Sequence, residues 1–151
     1  MASDMIEVVF QVGTGRRVAL AVGERAYADS DEPFDRDWVT ARMAVRVDAF
    51  AGASAGLVRV DELIGFQNSL KHLAGTLRGQ TRFETLEDWF RLDLEGDGLG
   101  HIAIEGELRD EYDGGQSLNF AFEIDQTALA APLAALARAI DRLRPAARRP
   151  R

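Results

Sequence analysis

Apolar and polar side chains alternate along much of the chain, so most of it reads as β-strand with one side turned to a core. Ile6, Val8, Phe10 and Val12 share one side of a segment over 5–12, and Val18, Leu20 and Val22 share one side of 16–23. Gly13-Thr14-Gly15 between them supplies the turn of a hairpin. Residues 24–37 are polar and aperiodic, with acidic residues around Pro33, which predicts a loop. A long strand then runs from Trp38 to about Phe50, burying Val39, Ala41, Met43, Val45 and Val47, and a shorter one covers 55–60. Behind Asp61 the period changes to that of a helix: Leu63, Phe66, Leu70, Leu73 and Leu77 predict a helix over 62–78, with Asp61 as its N-cap and Gly79 as its stop.

Alternation resumes in the second half. A strand is expected at 80–84. Asp88–Glu95 and Gly100–Leu108 then flank the hairpin loop Gly96-Asp97-Gly98-Leu99. Past a turn at Asp113-Gly114-Gly115, Leu118, Phe120, Phe122 and Ile124 form the most regular strand, and Asp125 stands where a cap is needed. Pro132 is tolerated in a helix only near its start, so a short turn over 126–130 and a helix from Pro132 to Leu143 are expected. Strands, an aspartate and an amphipathic helix thus occur twice in the same order, although this arrangement needs no duplication to explain it. The expected fold is α+β: a mainly antiparallel twisted sheet of about seven to eight strands, with two amphipathic helices packed on one face. A single domain over 1–144 is expected, followed by a disordered basic tail over 145–151.

The charge narrows the partners. The net charge is −7, and because Arg148, Arg149 and Arg151 lie in the tail, the body is more acidic still. Such a surface repels nucleic acid and steers a basic protein toward itself. No apolar stretch reaches the ~20 residues of a membrane helix, and Met1-Ala2-Ser3-Asp4 does not open like a signal peptide, so a soluble protein of the cytoplasm is expected. The absence of cysteine fits a reducing compartment.

Candidate chemistry is sparse, and no cofactor, metal or catalytic residue is expected. Asp93-Leu94-Glu95-Gly96-Asp97-Gly98 begins like a calcium-binding EF-hand loop, but Ile104 stands where the bidentate glutamate should be, and strands flank it. The chain has only two histidines, His72 and His101, and neither has a second histidine at ligand spacing. His101 and Glu105 share a strand face about 13 Å apart, four residues at ~3.3 Å each, too far for direct proton relay. There is no Gly-x-Ser-x-Gly elbow, and the glycine runs lie in hairpins, where they cannot aim helix amides at a phosphate.

What remains is a surface. Opposite the core the register places Trp89, Arg91, Asp93 and Glu95, then His101, Ala103, Glu105 and Glu107, then Asn119, Ala121 and Glu123. Such a face is either an ordinary solvated sheet surface or a docking face for a basic protein, with Trp89 as its anchor and Asp93, Glu95, His101, Glu105, Glu107 and Glu123 around it. A sensor domain that holds a small molecule or peptide between sheet and helices is the alternative.

Gly100-His101, Gly106 and the run Leu118-x-Phe120-x-Phe122-x-x-Asp125-Gln126-Thr127-x-Leu129 resemble the bacterial WapI-like immunity proteins. Asp37-Trp38, the long strand after it, and the helix carrying Phe66, Leu70 and Leu73 fit the same pattern, so the likeness spans roughly 5–143. Ala128 departs from the aromatic expected there, and the Arg/Pro tail is extra. The resemblance implies a non-catalytic protein that binds and neutralises the toxic C-terminal domain of a polymorphic or contact-dependent toxin, often a nuclease. It does not locate the interface, since Asp125 and Thr127 can be explained as a helix cap alone.

Overall fold

A computed structural model of the chain describes residues 4–111 and 115–144. The expected tail at 145–151 lies outside them, as does the expected turn at Asp113-Gly114. Among the described residues eight strands are present: β1 Ile6–Val12, β2 Arg16–Arg25, β3 Trp38–Val47, β4 Phe50–Arg59, β5 Arg78–Glu84, β6 Phe90–Asp97, β7 His101–Arg109 and β8 Ser117–Asp125. The helices are α1 Pro33–Arg36, α2 Val60–Thr76 and α3 Ala130–Leu143, the last entered through a single 3-10 turn at Gln126–Leu129. All strand pairs are antiparallel, and the fold is α+β as the alternation predicts.

The strands do not form one sheet. They form two four-stranded meanders, β1-β2-β3-β4 and β5-β6-β7-β8, each followed by a long helix. Period-two alternation reveals which side of a strand is buried, not which strand lies beside it. β4 is one of the places where the two halves meet, beside the approach of β1 and β3 to β8. Its core side carries Gly52 and Gly56, and a Cβ added at Gly56 would come within 2.6 Å of the Trp89 ring, while one at Gly52 would lie 3.0 Å from Leu118. Side chains of the second sheet fill the room those glycines leave. α3 packs along β1 and α2 along β5, and the helices touch each other, so one hydrophobic cluster runs from Val8 and Phe10 through Leu63, Phe66 and Leu70 to Ile104, Phe122 and Leu136.

Several boundaries differ from expectation for local reasons. β2 extends to Arg25 past an irregularity between Val22 and Arg25, and α1 forms inside the expected loop with Pro33 at its start. β4 begins at Phe50 because Asp48, at φ 57°, turns the chain there, and its amide donates to the Gly15 carbonyl at 2.8 Å. Asp61 is not the N-cap of α2. The cap is Arg59, whose amide donates to the Glu62 carboxylate at 2.7 Å, so Asp61 lies inside the first turn, where its charge still suits the helix dipole. The helix ends at Leu77 in the left-handed region, before Gly79, with the Leu77 amide donating to the Leu73 carbonyl at 2.7 Å. Pro132 occupies the third position of α3, where no intrahelical donor is needed.

Candidate functional site

The outward side of β5–β8 is built by register. One row runs Arg82, Asp93, Glu105, Ala121; the next runs Gln80, Glu95, Ala103, Glu123; a third runs Glu84, Arg91, Glu107, Asn119. The inward partners Phe90, Leu92, Leu94, Ile102, Ile104, Phe120, Phe122 and Ile124 are all buried. This hydrophobic anchoring forces the alternate side chains outward and gathers Asp93, Glu95, His101, Glu105, Glu107 and Glu123 on one surface.

Trp89 is not among them. It is only 2 % exposed, its Nε1 donates to the Leu57 carbonyl at 3.0 Å, and its ring stands edge-on to Phe90 at 4.7 Å. The reason is local. Asp88, at φ 55°, closes a turn in which its amide donates to the Thr85 carbonyl at 3.0 Å, and β6 starts only at Phe90. Alternation therefore does not extend back to Trp89, and two consecutive aromatics both point inward. The glycine at position 56 is the sequence feature that could have revealed this, since a glycine inside a strand marks a close approach from outside it.

The remaining carboxylates differ in what they meet. Asp93 is 8 % exposed, takes Arg82 Nε at 2.6 Å and Arg91 Nε at 2.9 Å, and is thereby neutralised. Glu107 takes Arg109 Nε at 3.0 Å. Glu95, Glu105 and Glu123 are exposed and take part in no ion pair among the described residues. They are the uncompensated charge of the face.

At the rim, the β6–β7 hairpin is closed by Asp97. One carboxylate oxygen accepts from the amides of Leu99 at 2.7 Å and His101 at 3.1 Å, and the other lies 2.7 Å from His101 Nδ1. The Leu99 amide, and next the His101 ring, hold the Asp97 carboxyl at about 2, and Asp97 in turn raises His101 above its ordinary 6.5. Across the strand pair His101 faces Asp125, whose carboxylate accepts from the Thr127 hydroxyl and, at 2.8 Å, from the Thr127 amide. Asp125 thus caps the 3-10 turn that leads into α3. The carboxylates resembling a calcium loop are engaged elsewhere, Asp93 by arginines and Asp97 by its own hairpin. Among the described residues no group of three or more acidic or histidine side chains could hold a metal ion.

A model of the WapI-like immunity protein family matches residues 9–144. The chain belongs to that family. Membership supports a role in immunity to a toxin and implies a cognate toxin as partner and a non-catalytic role. No curated protein matches the chain. Among solved structures it is similar to the plant transcriptional regulator PBF-2, with 12% identity, a TM-score of 0.53, and coverage of 92% of this chain and 82% of that one. At that identity the likeness is one of fold alone. No helix of this family member is long and apolar enough to cross a membrane among the described residues.

Proposed function

We propose that the protein acts in the cytoplasm, where it neutralises the toxic C-terminal domain of its cognate toxin by binding it. The acidic outer face of β5–β8 is the docking surface and the toxin domain is basic. The observation that carries this reading is the set Glu95, Glu105 and Glu123: outward-facing carboxylates held by a sheet and taking part in no ion pair among the described residues. A nuclease toxin suits this surface, because a site that binds phosphates is basic and a carboxylate face can occupy it. Glu107 and His101 flank the patch, and Asp93 with its two arginines gives it a fixed edge.

For the sensor alternative the described residues offer a cavity of about 670 Å³ between the end of β2, α1 and the end of α3, lined by residues such as Arg25, Arg36, Asp37 and Arg142. Its lining is mostly charged, unlike the apolar pocket that a small ligand prefers. The docking reading is tested by co-expressing the chain with its cognate toxin domain. Wild type protects, and Glu105→Lys with Glu123→Lys together abolishes protection while leaving the melting temperature within a few degrees. Full protection by the reversed-charge variant would show that the toxin docks elsewhere.

A further inference from the structure

The core side of the β1–β4 sheet extends beyond its cover. Register places Val12, Arg16, Val47 and Phe50 in one row at the sheet's end, on the same side as the buried Phe10, Val18 and Val45 of the next row. A row on that side should be buried, yet Val12 is 42% exposed and Phe50 is 70% exposed. The second sheet stops one row short, with Leu118 seated against Gly52. A cavity of about 270 Å³ opens there, lined by Val45, Val47 and Phe50 on one sheet and by Leu118, Phe120 and Ala121 of β8 on the other, with Asn119 as its polar member. β8 is also the last strand of its sheet: among the described residues it pairs with β7 alone, and although β1 and β3 of the other sheet come near it, neither pairs with its other edge.

An exposed strand edge beside an exposed aromatic invites another chain, and proteins usually blunt such an edge with a proline, a bulge or a cover. The β8 segment Ser117–Asp125 contains no proline and keeps an unbroken register with β7. A strand added to this edge would continue the sheet, and its side chains would alternate between two unlike surroundings. Those on the core side would meet the cavity beside Leu118, Val47 and Phe50. Those on the other side would run beside Asn119, Ala121 and Glu123, one strand away from Glu105 and Glu107. The geometry points to the open edge of β8 as a docking site for an extended segment of the toxin domain in which apolar residues alternate with lysine or arginine.

This rests on the proposed function and supplies the apolar anchor that Trp89 does not. Charge selects the occupant. Edge-to-edge pairing of two copies through β8 would join two acidic faces into one, bringing Glu123 and Glu105 of each copy toward those of the other, and like charges across a sheet oppose such pairing. A basic segment gains from the same charges.

The test uses the full chain and a catalytically inactive form of its cognate toxin domain. Backbone amides are followed by hydrogen exchange, and affinity is measured for wild type, Phe50→Asp and Phe50→Leu. On binding, alternate amides within 118–123 slow in exchange by at least about tenfold, Phe50→Asp weakens affinity by about tenfold or more, and Phe50→Leu retains most of it. Because Phe50 is exposed, both variants melt close to wild type. Binding of wild type with unchanged exchange at 118–123, or Phe50→Asp binding within about twofold of wild type, overturns the docking site while leaving the immunity reading in place. Protection of the same amides in the isolated chain, with a dimer in sedimentation, would assign the edge to self-association instead. Failure of wild type to bind the domain at all would refute the proposed function, and the docking site with it.

Discussion

Asp97 gathers two amides and an imidazole around one carboxylate, and both charged forms of the Asp97–His101 pair gain from it. The folded-state carboxyl, held at about 2 against an ordinary 3.8, contributes stability that is present above 3.8 and lost as pH falls through about 2. The imidazole, raised above 6.5, contributes stability that is present below 6.5 and lost as pH rises through its folded value. The hairpin is therefore tightest in mildly acidic solution, between pH 3.8 and 6.5. An NMR titration should place His101 above 6.5, and Asp97→Asn should bring it back toward that value; an imidazole that titrates at or below 6.5 in the wild type contradicts the pairing. Trp89 makes the opposite kind of claim. As a buried ring bonded to the Leu57 carbonyl it belongs to the core, so Trp89→Ala should lower stability by roughly 3–5 kcal/mol in denaturant titration. Were Trp89 a surface anchor, the same change would leave the fold intact and act on binding alone.

The elements that could be read from the sequence are those whose fate is decided by their own alternation. β7 and β8 carry apolar residues at every second position and keep one register throughout, so Ile102, Ile104, Phe120 and Phe122 point inward as their spacing predicts, and Glu105 and Glu123 point outward. The start of β6 was not legible in the same way, because Asp88 breaks the period and an aspartate in the left-handed region leaves no periodic trace. Division into two sheets was hidden for a related reason: Gly52 and Gly56 of β4 read as a weak strand until the rings and side chains facing them are known. Phe50 likewise falls on the core side by register, yet it lies past the end of the covering sheet, and sequence alone does not report where a cover stops. The close approach at β4 has a direct check. A methyl at Gly56 would collide with the Trp89 indole, so Gly56→Ala should lower stability by about 1–3 kcal/mol in denaturant melts. No loss would mean the sheets can separate at that point without penalty.

Among the described residues charge is unevenly shared between the two outward sheet faces, although Arg82 and Arg91 lie on the acidic one and Glu7 pairs with Arg17 on the other. The outward side of β5–β8 presents uncompensated Glu95, Glu105 and Glu123, whereas Arg42 and Arg46 are exposed on the outward side of β3, with Arg17 opposite Arg46. Such a charge distribution orients an approaching basic domain toward one face before contact, and steering of this kind acts on the association rate and fades as salt screens it. The apolar cavity at the β8 edge would act later, on the lifetime of the complex. The most direct test of the central claim is the association rate of the inactive toxin domain, measured against ionic strength for wild type and for Glu105→Lys with Glu123→Lys. The wild-type rate should fall steeply with added salt, and the variant should associate about tenfold or more slowly at low salt with a much flatter dependence. Superimposable salt curves for the two proteins would contradict the account.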